Sequence, residues 1–122
     1  MTLAEIQQFL KDALIAQKPA LKITKNSEVT FEVTGTIEAW QGKRKVDGLY
    51  FASVVTKPKD IRLYFFPIYT HVDAFKDISP ALRKMLKGKS CFHIKNLDED
   101  LKVEIMKMIQ LGIQIFQKDG LI

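Results

Sequence analysis

The chain has 122 residues, 47% of them hydrophobic and 27% charged, proportions of one ordinary globular domain over residues 1–122 with no room for a second independent core. A formal net charge of +5 could draw the chain toward nucleic acid or an anionic surface but reads first as serving solubility, since the lysines are scattered among acidic residues, and the single cysteine, Cys91, excludes an internal disulfide. No run approaches the ~20 apolar residues of a membrane helix, and the first residues lack the apolar centre of a signal peptide, so a cytoplasmic protein without membrane association is expected.

Thr2-Leu3-Ala4-Glu5 has capping-box spacing. Leu3, Ile6, Leu10, Ala13 and Leu14 then recur on one helical stripe until Pro19, which predicts a helix over residues 3–17. From Glu28 the period becomes two. Val29, Phe31, Val33, Ile37 and Ala39 alternate with Thr30, Glu32, Thr34, Thr36 and Glu38, so a long half-buried strand is expected over 28–40, with Gly35 marking a bulge or bend. Residues 41–48 are polar, end in Asp47-Gly48 and read as a turn, and a second strand follows over 49–55. Lys57-Pro58-Lys59-Asp60 is a further turn leading into a third strand over 61–66.

Ser79-Pro80 caps a short helix that should stop at Gly88. Residues 91–95 read as another strand. A closing helix is expected from Asn96 as cap, with Asp98, Glu99 and Asp100 in its first turn and Leu101, Ile105, Met108, Ile109, Gly112 and Phe116 on its apolar face. The fold class predicted is therefore α+β: an antiparallel three-stranded meander plus a later strand, with the N-terminal and C-terminal helices on one face and a short helix between strands.

The run Leu63-Tyr64-Phe65-Phe66-Pro67, then Val72-Asp73-Ala74-Phe75, then Lys87-Gly88-Lys89-Ser90-Cys91-Phe92-His93-Ile94 and the amphipathic helix after Leu97 resembles the YdhG-like family, frataxin-like iron-chaperone domains of bacteria. The resemblance covers roughly residues 49–116 and implies a small binding or carrier domain with iron as the candidate cargo. It brings no iron ligands to the first helix, which has only Glu5 and Asp12 as carboxylates.

Several residue groups are candidates for function. Trp40, Tyr50, Tyr64, Phe66, Tyr69 and His71 are placed around the meander, where aromatic rings with polar tips are expected to line an apolar ligand pocket if they meet a gap between sheet and helices. His71, Cys91 and His93 are the metal-ligand candidates, though without the spacing of a zinc motif. Asp98, Glu99, Asp100 and Glu104 form an acidic cluster that first-turn capping explains.

Lys43, Arg44 and Lys45 form the densest basic run, which with Trp40 or Tyr50 suits nucleic acid. Tyr64, Tyr69, His71 and His93 are the polar candidates for chemistry on a small metabolite. No phosphate-binding glycine loop, nucleophile triad or paired catalytic carboxylates occur, and no cofactor is indicated. A non-enzymatic binding domain is therefore expected, with nucleic-acid association or a small-metabolite enzyme as alternatives.

Overall fold

The computed structural model describes all of residues 1–122. Helix α1 (Leu3–Ile15) starts on the expected capping box, the Thr2 amide donating to Glu5 Oε1 at 2.8 Å and the Glu5 amide to Thr2 Oγ1 at 3.1 Å. Next come β1 (Lys22–Asn26), β2 (Thr30–Thr34), β3 (Ala39–Gln41), β4 (Arg44–Val46), β5 (Tyr50–Thr56) and β6 (Ile61–Phe65). Then follow α2 (Pro67–Thr70), a 3-10 turn at Val72–Phe75, α3 (Pro80–Met85), β7 (Leu86–Lys87), β8 (Cys91–Ile94) and α4 (Glu99–Lys118). The main sheet is antiparallel in the order β1-β2-β5-β6-β8-β7, while β3 and β4 form a separate hairpin.

The expected meander is β2-β5-β6, and the α+β architecture is as predicted. One face of the sheet supplies Phe31, Val33, Ala52, Val54, Leu63, Phe65, Phe92 and Ile94, and α1 and α4 cover it with Ile6, Leu10, Leu14, Ile105, Ile109 and Phe116. Burial on β6 alternates strictly, as a sheet with one dry and one wet face requires.

The long strand over 28–40 is not formed. It breaks at Gly35, whose amide donates to the Leu49 carbonyl at 2.8 Å, and beyond it Thr36 and Ile37 turn their amides to the Leu121 carbonyl. A Cβ on Gly35 would strike that same carbonyl, so the glycine gives the C-terminal tail room to pass. Consequently Val29 and Ile37 are exposed, at 57% and 45%, and only Phe31 and Val33 of the expected apolar face are buried. The segment read as one turn over 41–48 instead contributes β4, and Gly42 (φ 65°) sits at the tip of its hairpin.

Three smaller differences have local causes. Strand β1 was not foreseen because every residue in it is exposed, which removes the apolar alternation that marks a strand. The cap of α4 is Asp98, accepting from the Leu101 amide at 2.8 Å, and not Asn96. Helix α3 is capped by Ser79 as expected but ends at Met85, because Leu86 and Lys87 pair with β8.

Strand β5 carries an inserted residue: Val33 lies opposite Ala52 but Thr34 lies opposite Tyr50, leaving Phe51 as the bulge. Phe51 therefore points into the core, edge-to-face with Phe65 at 5.5 Å and with Phe116 at 5.0 Å. Each such pair adds about 0.5–1.5 kcal/mol beyond the area it buries. Gly112 of α4 lies against these rings, where a Cβ would come within 2.7 Å of Phe65 and 3.1 Å of Phe51. Gly112→Leu should thus overpack the contact and lower stability in urea unfolding by ~1–3 kcal/mol or more. Gln110→Leu, at an exposed position of the same helix, should stay within about ±0.5 kcal/mol. Equal stability of the two variants would mean that α4 is not seated on the rings.

Candidate functional site

The face of the sheet turned away from α1 and α4 is flanked at one end by the β3–β4 hairpin, and strand register fixes what it displays. Residues directly opposite one another share a face, so one row across the sheet runs Lys25, Glu32, Ser53, Tyr64, Cys91 and Lys87. A second row holds Thr30, Val55, Arg62 and His93. A third begins with Thr34 and Tyr50. The bulge at Phe51 is what turns Tyr50 outward, because unbroken alternation would have put it beside Ala52 in the core.

Three of these aromatic rings form a strip. The Tyr50 and Phe66 centroids are 5.7 Å apart, and Phe66 and Tyr69 are 5.9 Å apart. Lys89 Nζ lies 5.5 Å over the Tyr69 ring, within cation–π range. Tyr50 donates to Ser53 Oγ at 2.7 Å. Its ring leans on the sheet while Tyr69 is 48% exposed at the end of the strip.

Cations rim this face. Arg44 lines a cleft with Glu32, Thr34, Gln41 and Tyr50, and Lys22 and Lys45 border the adjoining one. At the opposite end, Lys57, Lys59, Arg62 and Lys95 surround a cavity of about 400 Å³. Segments 21–65 and 86–95, which build the sheet and the hairpin, contain 11 Lys and Arg against 5 Asp and Glu, whereas the rest of the chain contains 8 against 9. The whole positive excess therefore belongs to the sheet half. Glu32, the one carboxylate in the middle of the face, accepts from Thr24 Oγ1 at 2.7 Å and lies 3.8 Å from Lys25 Nζ.

The predicted ligand residues are divided by this arrangement. Tyr50, Tyr64 and Phe66 share the face away from α1 and α4, while Tyr69 on α2 continues their strip and lines a mostly apolar cavity with Ile68, Val72, Arg83, Leu86 and Lys89, so the predicted residues do not line one pocket together. Trp40 stands apart on the β3–β4 hairpin, 65% exposed with Lys45 Nζ 5.9 Å above its ring. His71 lies elsewhere, its Nε2 3.1 Å from Asp119 Oδ2 at the end of α4. Of the basic run, Arg44 faces Tyr50, Lys45 pairs with Glu38, and Lys43 is at the hairpin tip.

His71, Cys91 and His93 do not converge, and no three His, Cys, Asp or Glu side chains are grouped as a metal would need. His93 Nδ1 faces Asp60 Oδ2 at 3.7 Å. Burial pushes the Cys91 thiol up from its ordinary value, so it is not an activated nucleophile at neutral pH. Burial, and then its neighbour Cys91, likewise raises the Tyr64 phenol. Of the polar candidates for small-metabolite chemistry, Tyr64 and His93 share a face on neighbouring strands, whereas His71 pairs with Asp119 and Tyr69 ends the aromatic strip.

The acidic cluster is taken up structurally. Asp98 caps α4, Glu99 pairs with Lys102 at 2.9 Å, and Glu104 accepts from the Ser79 amide and hydroxyl at 2.6 Å each. Residues that were not singled out as candidates, Lys57, Lys59, Arg62, Lys95 and Lys89, complete the rim. Only Arg62 had a sequence signal, its alternation with Leu63 and Tyr64 on a strand. No family model matches the chain, and no curated protein and no solved structure matches it.

Tyr50 offers a check on this geometry. Burial pushes its phenol up to about 12, against the opposing hydrogen bond to Ser53. An unfolded tyrosine ionises near ~10, so as pH rises the unfolded chain loses its proton first. The contribution is therefore complete below pH ~10 and is lost as pH climbs through the folded value. The melting temperature of the parent should fall more steeply above pH ~10 than that of Tyr50→Phe, which has no phenol to ionise. Parallel curves would mean that Tyr50 is not sheltered on the sheet.

Proposed function

We propose that this domain is a non-enzymatic binding module that takes single-stranded nucleic acid on the open face of its sheet. The observation that carries the reading is the charge division, with all the excess positive charge on the sheet half, whose Tyr50 begins the strip that Phe66 and Tyr69 continue. Phosphates need cations and unstacked bases need accessible ring faces, and here cations flank a strip that is half-buried at Tyr50 and Phe66 and exposed at Tyr69. A single strand suits it better than a duplex, because only unpaired bases present their faces to aromatic side chains. The iron cargo implied by the YdhG-like resemblance draws no support from the geometry, since the acidic residues act as helix caps and ion-pair partners.

Fluorescence anisotropy with labelled single-stranded DNA and RNA tests the reading. Binding is expected at low salt, with log affinity falling by about 0.7 per phosphate contacted for each tenfold rise in salt. Tyr69→Ala, at an exposed position, should weaken it by about 1–3 kcal/mol, the value of one stacked base. Lys107→Glu, on the helix side, should change affinity little. No binding at low salt, or tighter binding of duplex than of single strands, would overturn the proposal.

A further inference from the structure

We infer that the cavity beside the β5–β6 turn is a phosphomonoester subsite that holds the terminal phosphate of the bound strand; this deepens the nucleic-acid reading and rests on it. The cavity is lined by Lys57, Pro58, Lys59, Asp60, Arg62 and Lys95, four cations around one carboxylate. That carboxylate is already engaged. Asp60 is 6% exposed and accepts from Arg62 Nε at 3.2 Å, with His93 Nδ1 on its other oxygen at 3.7 Å. Asp60 thus anchors the guanidinium through Nε, and no carboxylate engages its two terminal nitrogens, the fork that matches two phosphate oxygens.

Lys57, Lys59 and Lys95 make no ion pair with any carboxylate. Converging cations without counter-charge repel one another and focus a positive potential in the cavity. An anion relieves that repulsion in proportion to its charge. A phosphomonoester carries about −1.5 to −2 at neutral pH, whereas a backbone phosphodiester carries about −1, so the chain end gains most.

The cavity is also placed to receive it. Arg62 and Tyr64 on β6 and Phe66 just after it alternate on the open side, and four residues of extended chain span about 13 Å. A strand whose end phosphate sits among the lysines would lay its first bases over Tyr64 and Phe66.

The experiment compares one oligonucleotide sequence unphosphorylated, with a 5′-phosphate and with a 3′-phosphate, together with adenosine monophosphate and adenosine as small probes in a melting assay. One of the phosphorylated ends should bind about tenfold tighter than the unphosphorylated strand, the scale of one added charge-assisted contact. The triple variant Lys57→Gln, Lys59→Gln, Lys95→Gln should bring the ratio of phosphorylated to unphosphorylated affinity to one, a readout that a general weakening from lost rim charge does not move. These are exposed positions, so folding is not at stake and Asp60 keeps its partners.

Equal binding of all three strands by the parent would overturn the subsite and leave the open-face reading standing. If no strand binds, the open-face reading fails and the small probes decide the subsite. A melting shift with the monophosphate, but not with adenosine, that the triple variant loses would support it. No shift with either would end it.

Discussion

One inserted residue on β5 sets the terms for both sides of the sheet. Without the bulge, Tyr50 would follow Ala52 and Val54 into the core, and Phe51 would face solvent. With it, two adjacent aromatics serve opposite faces. Phe51 joins Phe65 and Phe116 under α4, and Tyr50 joins Phe66 and Tyr69 on the open side. Gly112 is the matching concession on the helix, because the Phe51 and Phe65 rings occupy the space in which a side chain would stand. The core and the candidate surface are thus coupled through a single register shift.

What was legible in the sequence was local or periodic. Thr2 with Glu5 and Ser79 before Pro80 marked helix starts that the structure keeps, and the turns at Asp47-Gly48 and Lys57-Pro58-Lys59-Asp60 marked the strands after them that carry the site. What was not legible depended on distant partners. The strand expected to run through Gly35 is cut by the Leu121 carbonyl from the far end of the chain, and nothing near Gly35 announces that. Strand β1 is held by pairing with β2 alone, so its residues show no burial pattern to read. The rim of the site was hidden for the same reason, since Arg44, Lys57, Arg62, Lys89 and Lys95 come from separate segments that only the sheet brings to one surface.

The division of charge follows from how the carboxylates are used. Helix starts attract anions because their amides are unpaired, and α4 takes Asp98, Glu99 and Asp100 in its first turn. Glu104 is spent on Ser79 at the start of α3. With acidic residues drawn to the helical layer, the sheet keeps few counter-ions for its lysines. Such an imbalance works against folding through self-repulsion. It persists on a surface that also carries a strip of three rings, half-buried at Tyr50 and Phe66 and exposed at Tyr69, which is the combination a polyanion with planar bases would relieve.

The same face argues against a protein partner as its principal ligand. Stable protein interfaces are depleted of lysine at their centre and rely on desolvated apolar anchors. Here the rings form a narrow strip, and the rows beside it carry Ser53, Arg62 and His93. Burying those groups against a second protein would cost more than the strip returns unless each found a partner. A single strand makes no such demand. In the proposed mode it would lay its bases on the rings, leave its sugars wet and bring phosphates to the cations, releasing counter-ions. The edges of the sheet point the same way: β1 places Lys22 and Lys25 on one side and β7 is only two residues long, so neither invites a further strand of protein. What remains available for recognition is the face itself, and its chemistry is that of a charged, stacking surface.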